Sequence, residues 1–169
     1  MEGLTGMTTF DISKLTSATT KVEGSITLPQ PDEGEYRAII DTNIPLESWF
    51  REVEVTNKET GNKEPRLILR VPFLIQDDAV ASKLSRDRVV VSQDLWLDLL
   101  PDGSPDLETE GRNMRLHRLR AAVGQNNKGK SWSIAALPGA GPLMVHITKR
   151  ENPRGGDPFT EVDRVAPLS

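Results

Sequence analysis

Apolar residues along this chain alternate with polar ones far more often than they recur at helical spacing. From Glu35 onward, Tyr36, Ala38 and Ile40 fall on one face of an expected strand, with Arg37 and Asp41 on the other. Trp49 to Thr56 reads as a second strand, which groups Trp49, Val53 and Val55 and places Arg51 among them. The clearest strand runs from Arg66 to Ile75. Leu67, Leu69, Val71, Phe73 and Ile75 line one side of it, while Arg66 and Arg70 project from the other. Between the second and third strands, Asn57 to Glu64 is a hairpin loop centred on Thr60-Gly61-Asn62. Val89-Val90-Val91 opens a further strand that runs on through Leu95, Trp96 and Leu97 to a turn at Pro101-Asp102-Gly103. Leu143, Val145 and Ile147 alternate again, Phe159 to Val165 resumes β character, and Arg154-Gly155-Gly156-Asp157 supplies the turn between them.

Helical periodicity is confined to Asn113–Val123, where Leu116, Leu119 and Val123 form one stripe and Gly124 is a natural stop. Arg112, Arg115 and Arg118 recur every three residues along its flank, with Arg120 nearby. The order is four or five strands, a helix, then two strands. It predicts a β-rich chain (all-β or α+β): an OB-like small antiparallel barrel with one inserted helix, over residues 34–169. Residues 1–33 read as a flexible N-terminal arm. They contain one short amphipathic piece, Phe10 to Leu15, and an extended entry loop at Leu28-Pro29-Gln30-Pro31, where proline removes backbone donors.

Composition agrees with short elements and many loops: of 169 residues, 36% are apolar, 13 are glycine and 12 proline. No apolar run is long enough to cross a bilayer, so no membrane partner is expected. With no cysteine, the chain has no disulfide, no thiolate metal site and no cysteine nucleophile. Charge changes the picture more. The net charge of −4 hides 11 Lys/Arg against 21 Asp/Glu in residues 1–111, and 10 against 4 in residues 112–169. A basic segment on an acidic protein can hold an anionic polymer locally.

Gly124 to Ser131 matches G-x-x-x-x-G-K-[ST], the phosphate-binding P-loop pattern. A working P-loop comes after a buried strand and leads into a helix. Here a helix leads in, and Pro138-Gly139 soon interrupts the segment beyond Ser131. The match therefore reads as a polar loop whose Lys128 and Lys130 extend the basic surface. His117 and His146 lack ligands at metal spacing, and Asp102 to Glu108 reads as a turn rather than a calcium loop. Asp77-Asp78 and Asp94/Asp98 have no supporting catalytic motif. No enzyme and no cofactor are expected.

Binding a single strand needs cations for phosphates and aromatic faces for bases. The cationic candidates are Arg51, Arg66, Arg70, Arg115, Arg118, Lys128, Lys130, Lys149 and Arg150. The aromatic candidates are Tyr36, Trp49, Phe50, Phe73, Trp96 and Trp132, and Trp49 and Trp132 stand first because each lies near a basic residue.

Several weak motifs, taken together, resemble a known family. They are Phe10-Asp11-Ile12-Ser13-Lys14, Pro31 to Arg37, Leu95 to Leu99, the helix from Asn113 to Gly124, Leu137-Pro138-Gly139, the strand Leu143 to Thr148, and Phe159 to Pro167. This layout is similar to small bacteriophage proteins, long labelled as of unknown function, that include OB-fold single-stranded-DNA-binding proteins. The resemblance implies a host-cytoplasmic protein that coats exposed strands during phage DNA replication or recombination. Its expected partners are single-stranded DNA, phage replication or recombination proteins, and further copies of itself. The alternative is a phage structural or virion-associated protein that holds its neighbours through the arm.

Overall fold

The computed structural model describes residues 11–22, 24 and 28–168, so Phe10 and the rest of the first ten residues of the expected arm lie outside the described residues. The elements in chain order are α1 (Ile12–Ser17), β1 (Gly34–Ile40), β2 (Phe50–Thr56), β3 (Lys63–Ile75), α2 (Asp78–Leu84), β4 (Val90–Trp96), α3 (Met114–Ala122), β5 (Leu143–Arg150) and β6 (Phe159–Pro167). All six strands join one antiparallel sheet in the order β2-β3-β1-β5-β6, with β4 paired to β3.

The long strand β3 organises this arrangement. On one edge it pairs with β4 over Ile68–Leu74; on the other it pairs first with β2, up to Leu69, and then with β1, from Phe73. The change of partner falls beside Pro72, which has no N–H to offer that edge, while its carbonyl accepts from Asp41 N at 2.9 Å. The alternation seen in the sequence is the burial pattern. Leu69, Val71 and Phe73 of β3, Ala38 and Ile40 of β1, Leu95 of β4, and Leu143, Val145 and Ile147 of β5 are buried in one core. Leu116 and Leu119 of α3 complete it.

The expected barrel does not close: the sheet is open. Its two facing edges, β4 and β6, are bridged by side chains instead of a backbone ladder. A bulge in β6 supplies part of that bridge. Between His146/Arg164 and Ile147/Val162 the register slips, so Asp163 is an extra residue without a β5 partner. Its freed carbonyl accepts from Arg115 Nη2 at 3.0 Å and from Gln93 Nε2 at 3.4 Å, and Arg115 Nη1 also donates to the Asp94 carbonyl at 3.4 Å. The Asp163 carboxylate meets His146 Nδ1 at 2.6 Å.

Two further differences have local causes. The sequence reading places no helix after β3, yet α2 forms there because Asp77 caps it, accepting from Ala79 N and Val80 N at 3.0 and 3.3 Å. Its Val80 and Leu84, four residues apart, pack against the core. Trp49 does not open a strand. Leu46–Trp49 is a 3-10 turn that tucks the indole inside, where it is 1% exposed and donates to the Ile44 carbonyl at 3.1 Å.

Candidate nucleic-acid interface

The face of β2-β3-β4 turned away from the core gathers three basic residues of the first half of the chain, Arg51, Arg66 and Arg70. Cross-strand register sets Arg51, Ile68 and Trp96 in one row, Arg66 opposite Val53, and Arg70 opposite Asp94. Alternation then keeps all of them on the side opposite Leu67, Leu69 and Val71. Trp96 is 44% exposed, with the Arg66 guanidinium 5.5 Å from its ring centre.

An open groove of about 940 Å³ adjoins this face. Arg51, Arg70, Ser92 and Asp94 line it from the sheet, Lys149, Arg150, Phe159 and Glu161 from the β5–β6 hairpin, and Leu28 to Gln30 from the entry segment. Sequence-distant cations therefore converge: Arg51, Arg70, Lys149 and Arg150 share one groove. Phe159 is 44% exposed, and Arg150 lies 5.0 Å from its ring centre. The hairpin is tied to the entry segment by Lys149 N donating to Glu33 Oε2 at 3.1 Å.

Ion pairing sorts these cations. Arg70 is clamped by Asp94 through two bonds, Nε–Oδ1 at 2.7 Å and Nη2–Oδ2 at 3.0 Å. The hydrogen bonding to Asp94, helped by its charge, raises the Arg70 pKa against partial burial. Arg150 Nε donates to Glu161 Oε1 at 3.1 Å. Among the described residues, Arg51, Arg66 and Lys149 have no carboxylate within ion-pair distance. These three are the positive charges still open to a phosphate.

The remaining candidates lie elsewhere. Arg115 is engaged at the β4–β6 junction, and Arg118 lines a separate hollow beside α3. Lys128 and Lys130 are exposed in the loop after α3 and do not line the groove. Trp132 is half-buried: the Arg120 guanidinium covers its ring at 4.2 Å, and its Nε1 donates to Gln125 Oε1 at 2.8 Å. Arg120 also donates to the Gln125 carbonyl at 3.3 Å and meets His117 Nδ1 at 2.9 Å. Desolvation, with the Arg120 charge beside it, lowers the His117 pKa, so this ring resists protonation. Trp49 and Phe73 are core residues, and Tyr36 is half-buried with its hydroxyl donating to the Asp32 carbonyl at 2.7 Å.

The P-loop match sits where its chemistry lacks support. Gly124, at φ +75°, ends α3, and the segment after Ser131 forms only the short 3-10 turn Ile134–Ala136. Carboxylates that the sequence left open are engaged in structure. Asp102 accepts from the Ser104 hydroxyl and amide and Asp106 from the Thr109 amide, and these bonds, the Ser104 hydroxyl and the Thr109 amide foremost, lower both pKa values. Asp98 holds the start of α3 and lies 3.6 Å from Arg112 Nε.

Sequence reasoning missed Phe159 and ranked Trp49 and Trp132 above Trp96. The available signal was position: Trp96 has the parity of Asp94, opposite to core residues Leu95 and Leu97, and Phe159 begins a strand beside a glycine-rich turn. No helix among the described residues is long and apolar enough to cross a membrane. Compared with protein-family models, with curated proteins and with solved structures, the chain matches none.

Proposed function

We propose that this protein binds single-stranded DNA along the outer face of β2-β3-β4 and the adjoining groove, as a non-enzymatic coating protein of OB-like design. One observation carries the reading: Arg51, Arg66 and Lys149, all without carboxylate partners, lie with exposed Trp96 and Phe159 on or beside one open face. Cations there meet phosphates, and the two rings offer π faces to bases. A duplex keeps its base faces inside the stack and leaves the rings without partners, so the arrangement favours a single strand. The motif layout that resembles phage single-strand binders points the same way. It adds a host-cytoplasmic setting and a role in phage DNA replication or recombination.

Fluorescence anisotropy of labelled oligo-dT, with a duplex of equal length as control, tests this. Trp96→Ala and Phe159→Ala should each weaken binding about 5- to 100-fold, the range of a lost base–aromatic stack. Both rings are exposed, so the fold is kept. Equal affinity for duplex, or wild-type affinity in both variants, would overturn the proposal.

A further inference from the structure

Among the described residues, nothing covers the short helix α1. Every residue of Ile12–Ser17 is exposed, with Ile12 at 61% and Leu15 at 64%. Six residues are far below the length at which an isolated helix holds itself in water, even with Asp11 capping Ser13 N at 3.0 Å. Ile12 and Leu15, three residues apart, form one apolar edge, and Asp11 and Lys14 bring opposite charges to its flanks. Such a segment needs an apolar surface with charges of both signs around it.

A hollow of about 450 Å³ beside α3 has that character. Leu107, Met114 and Ala121 give it an apolar lining, with Met114 at 51% exposure; Glu108 and Glu110 carry negative charge there, and of its three arginines Arg112 pairs with Asp98 and Arg120 covers Trp132, which leaves Arg118. We propose that α1 of one copy docks in this hollow of a second copy, setting Asp11 toward Arg118 and Lys14 toward Glu108 and Glu110. The entry segment sets where the arm leaves its own molecule. Asp32 is bonded to Lys83 at 2.8 Å and its carbonyl to the Tyr36 hydroxyl at 2.7 Å, so the arm departs beside α2 and the groove, whose lining shares no residue with the hollow. Residues 18–27, ten in number, span at most about 33 Å if fully extended, and that bound is the reach α1 has toward an adjacent molecule. A contact between unlike surfaces propagates head to tail, the geometry suited to proteins lined along one strand.

The chain has no cysteine, so a paired probe is clean. The variant Leu15→Cys/Met114→Cys, full length, is oxidised and run without reductant, with each single variant as control. Dimers and higher species that need both cysteines are expected. Leu15→Ala should lower self-association measured by sedimentation about tenfold. Arg118→Glu should lower it about two- to fivefold, the scale of an exposed ion pair, and adding Asp11→Lys should restore it. A cross-link confined to the monomer would show that each arm covers its own hollow, and no cross-link would remove the contact; either result overturns the proposal. Oligo-dT binding measured on the same variants separates this outcome from failure of the DNA reading, because neither cysteine position lines the groove.

Discussion

Asn113 joins the β4 end of the sheet to the helix that packs beneath it, and its removal should be among the costliest single changes in the chain. Its Nδ2 donates to the carbonyls of Asp98 at 2.8 Å and Asp106 at 2.9 Å, and its Oδ1 accepts from Asp98 N at 2.8 Å. The residue is 5% exposed and sits at φ +53°, a left-handed conformation that asparagine tolerates better than alanine. Asn113→Ala loses three bonds at about 1 kcal/mol each and adds about 1 kcal/mol of backbone strain, about 4 kcal/mol in all. Asn113→Gly loses the same bonds without the strain, for about 3 kcal/mol. Urea unfolding reads both: with an m-value of about 2 kcal/mol per M, the alanine midpoint falls by about 2 M and the glycine midpoint by about 1.5 M. A loss under 1 kcal/mol in the alanine variant would refute the bonding assignment. Glycine as damaging as alanine would refute the strain term.

Two other predictions concern buried charge. His117 has a lowered pKa in the folded state, so its contribution to stability is whole above its ordinary value of about 6.5 and is lost as pH falls through the folded value. Urea midpoints of the wild type should therefore drop between pH 7 and 5 more than those of His117→Gln, and parallel profiles would sink this assignment. Asp41 is 2% exposed and paired with Arg88, so Arg88→Met strands a buried carboxylate at a cost of about 3 kcal/mol. Arg88→Met/Asp41→Asn should recover part of that loss in a thermal melt, and a single variant as stable as wild type would show the pair to be unimportant.

The strands were legible because alternation decides which face a side chain takes; burial followed it in β1 and β5 and over most of β3, where Ile68 and Pro72 are buried on the opposite face as well. The partners of each strand were not. β3 changes partner from β2 to β1 beside Pro72, and Asp163, whose carbonyl takes bonds from Arg115 and Gln93 at the open edge, is one extra residue that no periodicity marks. The basic character of α3 was equally plain, yet Arg115 and Arg120 work inside the fold, joining strands and covering Trp132. Sequence counts charges. Only the register shows which are already neutralised, as Arg70 is by Asp94, 24 residues away.

That distinction fixes how binding to a single strand should respond to salt. Each phosphate neutralised contributes about −0.7 to the slope of log K against log salt. Among the described residues, Arg51, Arg66 and Lys149 lack carboxylate partners, whereas Arg70 and Arg150 already hold Asp94 and Glu161. An interface limited to the sheet face and groove thus predicts a slope of about −2. If Lys128 and Lys130 also reached the strand, the slope would steepen to about −3.5. Lys149→Ala should lower affinity and flatten the slope by about 0.7, while Lys128→Ala/Lys130→Ala should leave it unchanged. The reverse pattern would move the phosphate path from the sheet face to the loop after α3, and would leave the exposed rings of Trp96 and Phe159 without a role in it.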